Sequence, residues 1–124
     1  MPVTIEPVIP QDSILRNIKK LLGYEPAYEA FDEDIKIHIN TVFSDLQQLG
    51  VGPIGGFSIE GYDEIWPDFM GEATDLNEVK TYIYLRVKLI FDTPTTSFVI
   101  DSMNKQIDKF EWRLNLKQEG APTV

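Results

Sequence analysis

Apolar residues return at helical intervals over four stretches of the chain. Between Asp12 and Leu22, Ile14, Leu15, Ile18, Leu21 and Leu22 recur at helical spacing. Asp12 or Ser13 can cap the start, and Gly23 supplies a left-handed residue after the end. Lys19 and Lys20 fall in the last turn, where the helix dipole favours cations. A second helix is predicted from Asp32 to Leu49, with Asp32, Glu33 and Asp34 at its start and Gly50 after its end. Its stripe is Ile35, Ile39, Val42, Phe43, Leu46 and Leu49. A third helix spans Leu76 to Phe91, with Thr74 or Asp75 as its cap. Leu76, Val79, Ile83, Val87 and Ile90 lie on one face, and Tyr82, Leu85 and Leu89 on the other. A helix apolar nearly all round is buried on two sides. Asp92-Thr93-Pro94 breaks it, and a fourth helix runs from Thr96 to Leu116. There Ile100, Met103, Ile107, Phe110 and Leu114 form a narrow seam. Phe98, Trp112 and Leu116 fall on the opposite face, near Lys105 and Lys109.

The remaining segments break this pattern. Residues 1–11 hold three prolines and read as an extended N-terminal arm. Residues 50–72 open with a glycine-rich loop, and Phe57-Ser58-Ile59-Glu60 alternates like one strand of a short hairpin. Residues 62–69 read as a turn or a single helical turn, because Pro67 forbids a regular helix through them. Residues 117–124 read as a flexible tail. The predicted fold is mainly α: a four-helix domain over residues 12–116, with a loop and short β-hairpin inserted between helices two and three.

Composition narrows the chemistry. The chain has 124 residues, enough for one domain with one core. It has no cysteine, so it has neither disulfides nor thiolate ligands. Its one histidine, His38, shares a helical face with Asp34 and Asp45, an arrangement that reads as solvated surface more than as a metal or base site. No hydrolase, P-loop, zinc-protease or EF-hand motif is present, and the loop at 50–56 lacks the lysine of a phosphate cradle. The expectation is a non-enzyme with no cofactor and no metal, soluble and without a membrane span or signal peptide.

The net charge is −9, which argues against gripping nucleic acid through a basic surface. The excess is confined: residues 24–78 carry thirteen acidic residues against Lys36 alone, while both flanks are mildly basic. A solvated surface explains such a run, and so does a surface that repels nucleic acid or meets a basic partner. The second face of helix three (Tyr82, Leu85, Leu89) and that of helix four (Phe98, Trp112, Leu116) need cover, which self-association can supply. Trp66 and Phe69 suit either a contact or the base of the core.

Several runs carry a family likeness. They are Leu76 to Pro94, Phe110 to Asn115, Ile39-Asn40-Thr41-Val42-Phe43, Leu49-Gly50-Val51-Gly52-Pro53 and Trp66-Pro67-Asp68-Phe69. Together they resemble the head–tail connector proteins of long-tailed phages and prophages of low-GC Gram-positive bacteria, over residues 12–117. The resemblance implies a small helical subunit of a homo-oligomeric ring, typically of twelve copies, in the virion neck. Portal protein would sit above it and a stopper or tail-completion protein below, with assembly in the host cytoplasm. DNA would pass through the centre without specific binding, so some of Asp32, Glu33, Asp34, Asp63, Glu64 and Asp68 would face the channel. The alternative is an acidic DNA mimic that blocks a nucleic-acid-binding protein; this requires carboxylates spaced like phosphates on one exposed face.

Overall fold

The computed structural model describes residues 9–71 and 76–119. Five helices follow one another: α1 (Ile14–Leu22), α2 (Asp32–Gln48), α3 (Trp66–Met70), α4 (Leu76–Phe91) and α5 (Ser97–Glu119). The four long ones are the predicted helices. Helix α1 starts where Ser13 Oγ accepts a hydrogen bond from the Arg16 amide, and it ends on Gly23 at φ 97°. The expected cap of α4 at residues 74–75 lies outside the described residues. Helix α5 continues through Glu119, three residues past its predicted end at Leu116.

Helix α4 is the centre of the domain. It packs against α2, α1 and α5, and α5 rests chiefly on it. This accounts for its two-sided apolar pattern: Val79, Tyr82, Ile83, Leu85 and Val87 are all buried. The core continues through Ile14, Leu15 and Ile18 of α1, the Ile35–Leu46 stripe of α2, and Met103, Ile107 and Leu114 of α5. Two predicted core positions point outward instead, Leu21 and Ile90, each about half exposed.

The insertion folds without strand pairing at residues 57–60. The expected hairpin is replaced by a side chain acting as a strand. Asn40 Nδ2 donates to the Ile59 carbonyl at 3.0 Å, and Asn40 Oδ1 accepts from the Ile59 amide at 2.7 Å. Ile59 is thereby held in the core, 2% exposed, with its backbone groups satisfied. Ser13 and Ile65 form an isolated antiparallel bridge that ties the end of the insertion to the start of α1.

Pro67 stands in the first turn of α3, where a missing N–H costs nothing. The Asp68 carboxylate accepts from the Ile65 amide at 3.1 Å and closes that turn. Phe69 then packs on Phe43 and Phe57, with ring centroids 4.6 and 5.4 Å away. Gly52 passes over the same ring at φ +95°, and a Cβ there would lie 2.4 Å from Phe69 Cε1. That close approach explains a glycine in the loop without any phosphate.

Candidate functional site

Two polar networks, not foreseen from the sequence, hold the helices in place. In the first, Lys19 is fully buried. Its ammonium meets Asp32 Oδ1 at 2.7 Å, the carbonyls of Pro26 and Tyr28 at 3.0 and 2.6 Å, and Tyr62 Oη at 2.5 Å. Tyr62 Oη also lies 2.9 Å from Asp32 Oδ2. One cation thus joins α1, the α1–α2 connection, α2 and the insertion. Burial, followed by the Asp32 carboxylate beside it, pushes the Tyr62 phenol above its ordinary range. Lys19 could have been suspected: one helical turn after Leu15, it falls within the apolar stripe of α1.

The second network joins α2, α4 and α5. Arg86 donates to Asp45 Oδ2 at 2.6 Å and to Tyr82 Oη at 2.6 Å. Tyr82 Oη donates to Glu111 Oε2 at 2.7 Å. Burial and the bond to Glu111 raise the Tyr82 phenol above its ordinary range. Burial opposes the charge of Arg86, but the bonds to Asp45 and Tyr82 outweigh it and raise its pKa. These groups line a small cleft with Gln48 and Leu49. Every polar atom of Tyr82 and Arg86 so engaged serves helix packing. Tyr82→Phe should lower unfolding free energy by about 1–2 kcal/mol, the scale of a hydrogen bond to charged groups, as read from urea denaturation.

These placements correct several expectations. Tyr82 and Leu85 are covered by the chain itself, because α5 lies along α4. Trp66 and Phe69 are also core residues, and the Trp66 indole N–H donates to Asn17 Oδ1 at 3.0 Å. Leu89 is half-buried against the same core. None of these five offers a free surface.

The acidic set is similarly divided. Asp32 lies inside the Lys19 network. Glu64 accepts from the amides of Glu60 and Gly61 at 2.8 and 3.4 Å, and Asp68 caps α3. Glu33 pairs with Lys36 at 2.6 Å. Asp34 and Asp63 are exposed. The carboxylates are therefore spread among ion pairs, caps and open surface. His38 lies beside Phe91, 6.3 Å between ring centroids. Among the described residues no group of three or more acidic or histidine side chains is placed to hold a metal ion.

What remains open is the outer face of α5. Phe98 is 81% exposed, Trp112 65% and Leu116 49%. On a helix of 3.6 residues per turn, Phe98 and Leu116 share one angular position and Trp112 lies about 40° away. Exposed Lys105 and Lys109 fall on the same line between them. A second open surface, missed in the sequence, surrounds the α1–α2 connection. Tyr24, Tyr28, Phe31 and Phe91 gather there, with neighbouring ring centroids 5.4–6.1 Å apart. The signal was Phe31 standing where a helix cap is normally Ser, Thr, Asp or Asn.

A small helical domain with its polar groups spent on packing and its open apolar residues gathered on surfaces is built to contact other proteins. The model of the phage connector protein family matches residues 14–121, and the chain belongs to that family. No curated protein and no solved structure matches it. Membership gives the chain a structural head–tail connector role in the virion neck, with other phage head and tail proteins as partners. No helix among the described residues is long and apolar enough to cross a membrane.

Proposed function

We propose that the protein is a ring subunit of the phage neck, docked between the portal and a stopper or tail-completion protein, with DNA passing through its centre. The observation that carries this is the exposed α5 face: Phe98, Trp112 and Leu116 have no cover among the described residues, and neighbouring copies supply it. Five of the eight expected contact residues serve the core, so the lateral contact falls to these three. Residues 1–11 and the end of the chain are the segments this reading assigns to the portal and the stopper. Asp34 and Asp63, exposed on the acidic part of the chain and without an ion pair among the described residues, are turned toward the DNA path, where their charge repels phosphate.

Light scattering after size-exclusion chromatography tests the ring, with the protein alone across a concentration series and mixed with portal protein. A defined oligomer in either condition is the expected result. A monodisperse monomer in both overturns the reading.

A further inference from the structure

The aromatic surface at the α1–α2 connection lies close to where the chain enters the described domain. Pro10 and Ser13 close a turn, with the Ser13 amide donating to the Pro10 carbonyl at 3.2 Å. The turn folds the preceding residues back beside α1. Asn17 Nδ2 donates to the Gln11 carbonyl at 3.1 Å, and Arg16 Nη1 donates to the Ile9 carbonyl at 3.0 Å. The described chain therefore begins, at Ile9, on the Arg16 side of the helix. A cleft runs along that side from Arg16 past Lys20 to Gly23, Tyr24, Glu25 and Pro26. At its far end the Tyr24 ring stacks on Tyr28, with centroids 5.8 Å apart and planes within 9°. Tyr28 is 49% exposed and Phe31, beside it, 36%.

Connectivity selects an occupant for this cleft. Eight residues, Met1 to Val8, are tethered to Ile9. In an extended form they span about 25 Å. From Arg16 to Tyr24 the helix and its first following residues rise about 12 Å. A segment that starts beside Arg16 thus reaches the rings with residues to spare. The tether holds it there at an effective concentration on the order of mM, above that of a second copy in dilute solution.

The composition of the segment suits the cleft. Pro2 and Pro7 confine it to extended conformations, so it loses less entropy on docking. Extended, proline-rich segments bind grooves lined by aromatic side chains. Val3 and Ile5 stand two residues apart, on one side of an extended chain. Charge agrees with the choice. Glu6 is the one charged side chain among residues 1–8. The cleft sets Arg16 and Lys20 against Glu25 alone. Lys20 is exposed and forms no ion pair among the described residues, whereas Lys88, near Tyr24, is paired with Asp92.

We propose that in the free subunit residues 1–8 dock along this cleft of their own chain, with Val3 and Ile5 on the rings of Tyr24 and Tyr28 and Glu6 toward Lys20. The inference stands independently of the ring. It goes beyond that reading by giving the N-terminal segment a place before any partner is met. A portal contact made by the same residues then exchanges one docking for another.

Nuclear magnetic resonance of the full-length chain tests it, at a concentration where light scattering gives a monomer. If wild type assembles there, the same spectra are taken in a Trp112→Asp background, a change outside the cleft. The backbone heteronuclear NOE of residues 3–6 should approach that of α1. Val3→Asp/Ile5→Asp should lower it to the level of a free chain and shift the amide signals of Lys20, Gly23, Tyr24 and Tyr28. The signals of Ile35 and Ile39 should stay in place, which checks the fold. Tenfold dilution should change none of this, because the contact lies within one chain.

Free-chain NOE values at residues 3–6 of the unsubstituted segment overturn the proposal. Ordering that disappears on dilution does so too, since it assigns the segment to a second copy. So does an ordered segment whose double substitution leaves the cleft signals unmoved, since it then docks elsewhere.

Discussion

Trp112→Asp should leave the subunit folded and abolish its assembly. The indole is 65% exposed, so the change costs the monomer about 0.5 kcal/mol, the range of surface substitutions. A tryptophan buried at the centre of a contact contributes about 2 kcal/mol or more, roughly thirtyfold in the concentration needed for association. A carboxylate in its place adds the cost of desolvating a charge. Light scattering against concentration, beside thermal melting by circular dichroism, separates the two effects. Normal assembly of this variant would move the subunit contact off α5.

Lys19→Ala should be the most damaging single change to the fold. It removes the cation that meets Asp32 at 2.7 Å, leaving that carboxylate only the Tyr62 hydroxyl among the described residues, and it takes an ammonium donor from the carbonyls of Pro26 and Tyr28. Breaking a buried ion pair on one side costs about 3–5 kcal/mol, a large share of the roughly 5–15 kcal/mol that stabilises a domain. The melting temperature should fall by on the order of 15 °C. Lys20→Ala, one residue on and exposed, should change it little. Lys19→Met combined with Asp32→Asn should recover part of the loss, since no charge is then left buried without its counter-ion. A loss under about 1 kcal/mol for Lys19→Ala would show that the network does not hold the connection in place.

The same residue marks where sequence pattern stops being informative. Helices α1, α2, α4 and α5 were legible because each repeats apolar residues over three or more turns and carries its own stop signals. Periodicity, however, reports only that a residue faces something. Tyr82 and Leu85 were rightly placed on a second apolar face of α4. Which neighbour covers that face depends on the path of α5 across it, and this is a tertiary fact.

The hairpin expectation failed for a related reason. Alternation at 57–60 correctly marks an extended segment with Ile59 pointing inward. The groups that satisfy its backbone belong to Asn40, nineteen residues earlier, and no local rule supplies them. Charge counting had the same limit. Thirteen carboxylates between residues 24 and 78 read as one acidic surface, yet Asp32, Glu33, Asp45, Glu64 and Asp68 are each engaged with a cation or a backbone amide. The open α5 face was legible, because Phe98, Trp112 and Leu116 lie opposite an unmistakable seam.

The placement of α5, resting chiefly on α4, has a consequence for how the subunit and its assembly depend on each other. In the free subunit this helix is anchored along one side, with α4 as its chief support. Clasped by a neighbour on its other side, it would become a shared wall between two subunits. Opening it would then require separating two molecules at once. Closure of a ring would thus hold on both sides a helix that the free subunit holds on one, and the rigidity of the assembly would come from closure more than from any subunit alone.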